Sequence, residues 1–150
     1  MQIRLNIQDN LTAELRKRME ACGDTTPLAV AGAVELKSWA ERAFDDPSRR
    51  PTAWPARKKA GTHPLLKLHG LLWRSFRVNP AGAGAAEVVT DRPYAAVHQF
   101  GSAKAKGRGG GIPARPYFPF DAGGALMPAA AELLLATVNR RLQALLDGKA

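Results

Sequence analysis

Acidic side chains are missing from a long stretch of this chain: residues 47–86 carry eight lysines and arginines and no Asp or Glu. Cysteine is nearly absent as well, represented by Cys22 alone. One thiol excludes an internal disulfide framework and any cysteine-cluster metal site, and a reducing cytoplasm is the expected place of synthesis. Cys22 closes an apolar helical pattern just before Gly23 and reads as a small core filler rather than a nucleophile. No run of about 18 apolar residues occurs, so no membrane-spanning helix is expected. The opening MQIRLNIQDN has no basic region followed by an apolar stretch, so no secretion leader is expected.

Catalytic patterns are equally scarce. The three histidines, His63, His69 and His98, form no HExxH pair at helix-face spacing, and no GxSxG elbow is present. The GRGGG run at 107–111 has the glycines of a phosphate cradle but not the GK[ST] ending, and Ile112-Pro113 follows it where a helix would have to start. These absences predict no turnover, no metal and no cofactor. His98, beside aromatics and a glycine, reads as a structural hydrogen-bonding residue.

What is present suits one globular domain over residues 1–150. The chain has 150 residues and 45% apolar content, enough to bury a core. The net charge of +9 is uneven: residues 1–46 hold 6 basic and 8 acidic groups, whereas the excess of cations lies in the middle. Such a balance suits nucleic acid or an acidic protein surface as partner, or a solvated face. Ile3, Leu5 and Ile7 alternate as in a half-buried strand. Helices are predicted over 10–22, with Gly23 as the stop, and over 27–44, where Leu36, Trp39, Ala40 and Ala43 form the apolar stripe. Residues 47–63 read as a loop, 64–69 as a short helix, 72–78 and 87–90 as a hairpin, and 93–100 as a short helical turn ended by Gly101. Ser102 to Gly111 has no apolar residue larger than alanine and is expected to be mobile in the free protein. Ile112 to Phe120, with three prolines, must run extended. Pro128 to Leu146 is the clearest helix. The order predicts an α+β fold, a small antiparallel sheet packed by N-terminal helices and a long C-terminal helix.

Two stretches carry a resemblance. Tyr94-Ala95-Ala96-Val97-His98-Gln99-Phe100-Gly101, followed after a variable loop by Ile112-Pro113-Ala114-Arg115-Pro116-Tyr117-Phe118, is similar to the YAxxHQxG … IPARPF signature of the phage virion morphogenesis family. Upstream, Trp54-Pro55, Lys58-Lys59, the run from Leu65 to Leu72, and Ser75-Phe76 resemble that family's W-P … K … LxxTGxLxxS run. His69 stands where threonine is usual, and Pro119-Phe120 replaces a common Leu-Gly. The resemblance covers residues 54–120. It implies a structural protein made in the host bacterial cytoplasm and carried in the tail or neck of the virion, where it completes the tail and joins it to the head. Its implied partners are further copies of itself in a ring, six-fold to match a tail tube, the tail tube protein, head–tail connector proteins and, from the ring lumen, phage DNA. No membrane partner is implied. The alternative reading is a basic nucleic-acid-binding module.

On this reading the residues expected to face a neighbouring subunit or partner are Tyr94, His98, Gln99, Lys104, Lys106, Arg108, Arg115 and Tyr117. Pro113 and Pro116 would hold Ala114 and Arg115 extended, the tyrosines would act as anchors, and Arg115 would fork onto a neighbour's carboxylate. Core packing is the alternative for each aromatic, including Phe118, and a salt bridge within the subunit is the alternative for Arg115. An interfacial Arg115 would make Arg115→Ala fold normally yet assemble poorly.

Overall fold

A computed structural model describes residues 1–5, 20, 23–57, 61–103, 111–121 and 123–147. The helix predicted over 10–22, Cys22, Lys58, Lys59 and the loop cations Lys104, Lys106 and Arg108 lie outside the described residues.

The fold is α+β. In chain order it has β1 (Gln2–Leu5), α1 (Thr26–Ala43), a 3-10 turn (Pro47–Arg49), β2 (Arg77–Pro80), β3 (Ala86–Val89), α2 (Ala95–Phe100) and α3 (Pro128–Leu146). The described chain gathers into two compact units. One contains residues 38–76 and 90–127, and the other contains the sheet, residues 26–37 of α1, and α3.

In the unit that holds the sheet, β3 is the central strand and pairs antiparallel with both β1 and β2. Gln2 lies opposite Val89 and Leu5 opposite Ala86, while Arg77 lies opposite Val89 and Pro80 opposite Ala86. Alternation along β3 buries Ala86 and Val88, one face of the pleat. Pro80 ends β2 on an edge strand, where a missing N–H costs no ladder bond. The hairpin closes through Ala81 N to Ala85 O at 2.9 Å. Gly84 has φ +70, and its N–H donates to the Thr26 hydroxyl at 3.3 Å, which ties the hairpin to the start of α1. The first N–H groups of α1 go to Thr25 O, and Asp24 accepts from Thr26 N at 2.9 Å. Leu28, Ala29, Ala33 and Leu36 from α1 and Ala130, Leu134, Val138 and Leu142 from α3 are buried at helical spacing and supply this unit's core.

The other unit is built on aromatic residues. Helix α1 ends at Ala43, where Arg50 caps it by donating from Nε to Ala43 O (2.7 Å) and from Nη2 to Phe44 O (3.2 Å). These bonds satisfy carbonyls that the helix leaves unpaired. The Arg50 guanidinium lies 3.9 Å from the centre of the Trp54 ring. Phe44 packs on Trp54, Phe76 and Tyr117, and Phe118 closes on Phe76 and Tyr117, all with ring centroids 5.3–6.3 Å apart.

Two predicted elements take other forms. Residues 64–69 turn instead of forming a helix, because Leu66 adopts φ +62, a left-handed conformation that no right-handed helix accepts. The strand expected from Leu72 begins only at Arg77. Residues 71–74 form a turn, which buries Leu72 and Phe76 in the aromatic unit.

Candidate functional site

The family-like motif halves meet around α2. Gly101 ends this helix with φ +77 and ψ 177, and its N–H donates to Val97 O at 2.8 Å. A Cβ here would lie 2.9 Å from Ala114 N and 3.1 Å from Ile112 O, so glycine is required both by conformation and by the returning chain. Ser102 N donates to Ile112 O at 2.9 Å, and Ile112 N donates to Ser102 Oγ at 3.3 Å. This pair closes the base of the segment between them.

Beyond Ile112 the chain runs extended past α2. Arg115 N donates to His98 O at 2.7 Å. The Gln99 side-chain oxygen accepts from both Tyr117 N (3.0 Å) and Phe118 N (3.1 Å), and the Tyr117 hydroxyl donates to Ala95 O at 2.9 Å. A third strip of chain joins them reciprocally. Arg115 donates from Nε to Pro55 O (3.0 Å) and from Nη2 to Ala56 O (3.2 Å), while Trp54 Nε1 donates to Pro116 O at 2.8 Å. Proline-interrupted strips cannot form a regular ladder, so each strip's carbonyls are met by the other's side chain. Trp54-Pro55, the YAxxHQxG helix and the PARPY strip are thus one hydrogen-bonded unit. The pairing of Trp54 with Pro116 and of Arg115 with Pro55 has no counterpart in the sequence motifs, since the two strips lie about sixty residues apart.

The residues expected to face a partner therefore divide. Gln99, Arg115 and Tyr117 are turned inward, at 4%, 8% and 0% exposure, and their polar atoms are occupied within the chain. Arg115 serves backbone carbonyls of its own chain. Tyr117 and Phe118 are core. Burial pushes the Tyr117 phenol far above its usual range, keeping it a neutral donor. Tyr94 and His98 remain at the surface, their rings edge-to-face at 5.8 Å.

Around them the aromatic unit exposes large apolar side chains: Leu68 at 60%, Leu71 at 50%, Phe100 at 69% and Ile112 at 43%. Two open hollows lie here, of about 420 Å³ and 310 Å³, and Leu66 and His98 line both. Leu66's left-handed backbone costs about 1–2 kcal/mol, and it turns the chain at the point where the hollows meet.

His98 has its Nδ1 buried without a hydrogen-bond partner among the described residues. Burial, and secondarily the charge of Arg115, holds its pKa below the usual 6.5. The unfolded chain then binds a proton that the folded chain refuses, so stability falls as the pH drops below about 6.5 and is retained above it. Urea midpoints at pH 7.5 and 5.5 should differ in that direction, and His98→Gln should shrink the difference. An unchanged difference in the variant would show that His98 does not contribute.

The cations of the acid-free stretch are largely engaged within the chain. Arg49 lies 4.7 Å from the centre of the Trp39 ring and 3.3 Å from Asp46, Arg50 caps α1, and Lys67 bonds Asp45 at 2.7 Å while lying 4.6 Å from the centre of the Trp73 ring. Arg74 lies 4.9 Å from the same ring's centre. Among the described residues no group of three His, Cys, Asp or Glu side chains can hold a metal ion, and no helix is long and apolar enough to cross a membrane.

This is a small α+β protein in which buried polar side chains hold an extended strip in place and several large apolar side chains are exposed. The chain belongs to the phage virion morphogenesis family, whose pattern matches residues 6–142. Among curated proteins it is similar to the Mu-like prophage FluMu G protein 2 of Haemophilus influenzae, at 30% identity over 117 residues, which is 78% of this chain and 82% of that protein. No solved structure matches. The protein is thus a component of bacteriophage virion morphogenesis.

Proposed function

We propose that the protein is a non-enzymatic structural element of the virion that completes the tail and joins it to the head, acting as a closed homo-oligomeric ring, six-fold to match the tail tube. The match to the morphogenesis family over residues 6–142 carries this reading. The apolar face of Leu68, Leu71, Phe100 and Ile112 supports it, since exposed apolar groups of this size suit contact with another protein. The ring contacts the tail tube protein on one side and head–tail connector proteins on the other, and its lumen faces phage DNA. A ring of this kind uses two different patches of each subunit, and its closure depends on the rotation between neighbours. Tyr94 and His98, at the surface, are retained as partner-facing residues. Phage deleted for this protein should accumulate filled heads and separate tails by electron microscopy; normal infectious particles would overturn the proposal. The nucleic-acid-binding alternative is weakened by the internal use of Arg49, Arg50 and Lys67.

A further inference from the structure

We infer that the apolar cleft formed by the two hollows at Leu66 and His98 is the seat for an acidic, leucine- or phenylalanine-bearing segment of a different virion protein. The inference rests on the virion-assembly reading and names the chemistry of one partner.

The two hollows adjoin at Leu66 and His98, which line both, within one compact unit. One hollow is lined by Leu68, Leu71 and Tyr94, all exposed, a surface that gains by losing water. The other adds Arg57, His63 and Ile112. Among the described residues, every ionisable side chain lining the hollows is basic or histidine, apart from the Tyr94 phenol, and none is Asp or Glu. The nearby acid Asp45 is already ion-paired with Lys67. A cleft with apolar walls and one sign of charge selects an occupant with the opposite sign and an apolar anchor. A second copy of this chain is the competing occupant, and the test below separates the two. The left-handed Leu66 adds a second indication, since strained backbone tends to persist where function requires it.

The test uses assembled particles in which Leu71 carries a photo-crosslinking p-benzoylphenylalanine. Mass spectrometry first establishes whether the chain is in the particle. Its absence would overturn both the assembly reading and this inference. With the chain present, the Leu71 probe should crosslink to an acidic segment of another virion protein. A crosslink to a second copy, to DNA or to a neutral or basic segment, or no crosslink at all, would overturn this inference alone. In complementation, Leu71→Asp should lower particle yield by about tenfold or more, since it sets like charges together, whereas Leu71→Lys should lose no more than about threefold. Equal losses would mean purely apolar contact, and a larger loss with lysine would mean a basic partner. Either result contradicts the assignment. Both variants should melt like the parent, because Leu71 is half exposed.

Discussion

Tyr117→Ala is expected to destabilise the protein by about 3–5 kcal/mol, the range for removing a large buried ring. Tyr117 is fully buried, touches Phe44, Phe76 and Phe118 with ring centroids 5.3–5.4 Å apart, and donates its hydroxyl proton to Ala95 O. Truncation removes apolar surface, leaves a cavity among three rings and loses the hydroxyl bond to Ala95 O. For a chain of this size the melting temperature should fall on the order of 10 °C. Tyr117→Phe keeps the ring and loses only the hydroxyl bond, about 1 kcal/mol. Calorimetry of both variants separates packing from hydrogen bonding. Equal melting of Tyr117→Ala and the parent would show that the aromatic cluster is not the core of this unit.

Gln99→Leu should cost about 2–6 kcal/mol, because it removes the acceptor for two N–H groups, each left unsatisfied at about 1–3 kcal/mol. Gln99 is 4% exposed, so water is poorly placed to replace its oxygen. Amide exchange at Tyr117 and Phe118 should accelerate in this variant well beyond the change at Val88 in the sheet. Uniform acceleration would mean that Gln99 acts only through global stability. Arg115→Ala belongs to the same class. Its guanidinium serves the carbonyls of Pro55 and Ala56, so the variant should melt early in the free protein. An interfacial arginine would leave melting intact, so the same melt separates the two roles.

Much of the fold was legible because period and punctuation agreed. The helix read over 128–146 is α3 to the residue, with Leu134, Val138 and Leu142 buried as its stripe requires. Leu36, Trp39, Ala40 and Ala43 of α1 are all buried. Residues 64–78 were misread where local pattern competes with long-range packing: a leucine-rich run suits a helix, yet Leu66 turns left-handed and Leu72 and Phe76 go to the aromatic core. The site was legible as a motif but not as geometry. Nothing in the spacing of Trp54 and Arg115, about sixty residues apart, states that each bonds the other's strip. Inward and outward residues of the motif look alike in sequence, since Tyr94 and Tyr117 are both aromatic anchors beside a proline. Only the fold separates the exposed one from the buried one.

The central claim, a ring that completes the tail and joins it to the head, is tested most directly by a reconstruction of the assembled particle in which this chain is traced. The account predicts several identical copies closed around the channel between tail tube and head, six if the ring follows the tube, with Gln99 and Arg115 bonded inside each subunit and the Leu68, Leu71 and Tyr94 face against another protein. A particle that lacks the chain, or holds one isolated copy away from the channel, would contradict it.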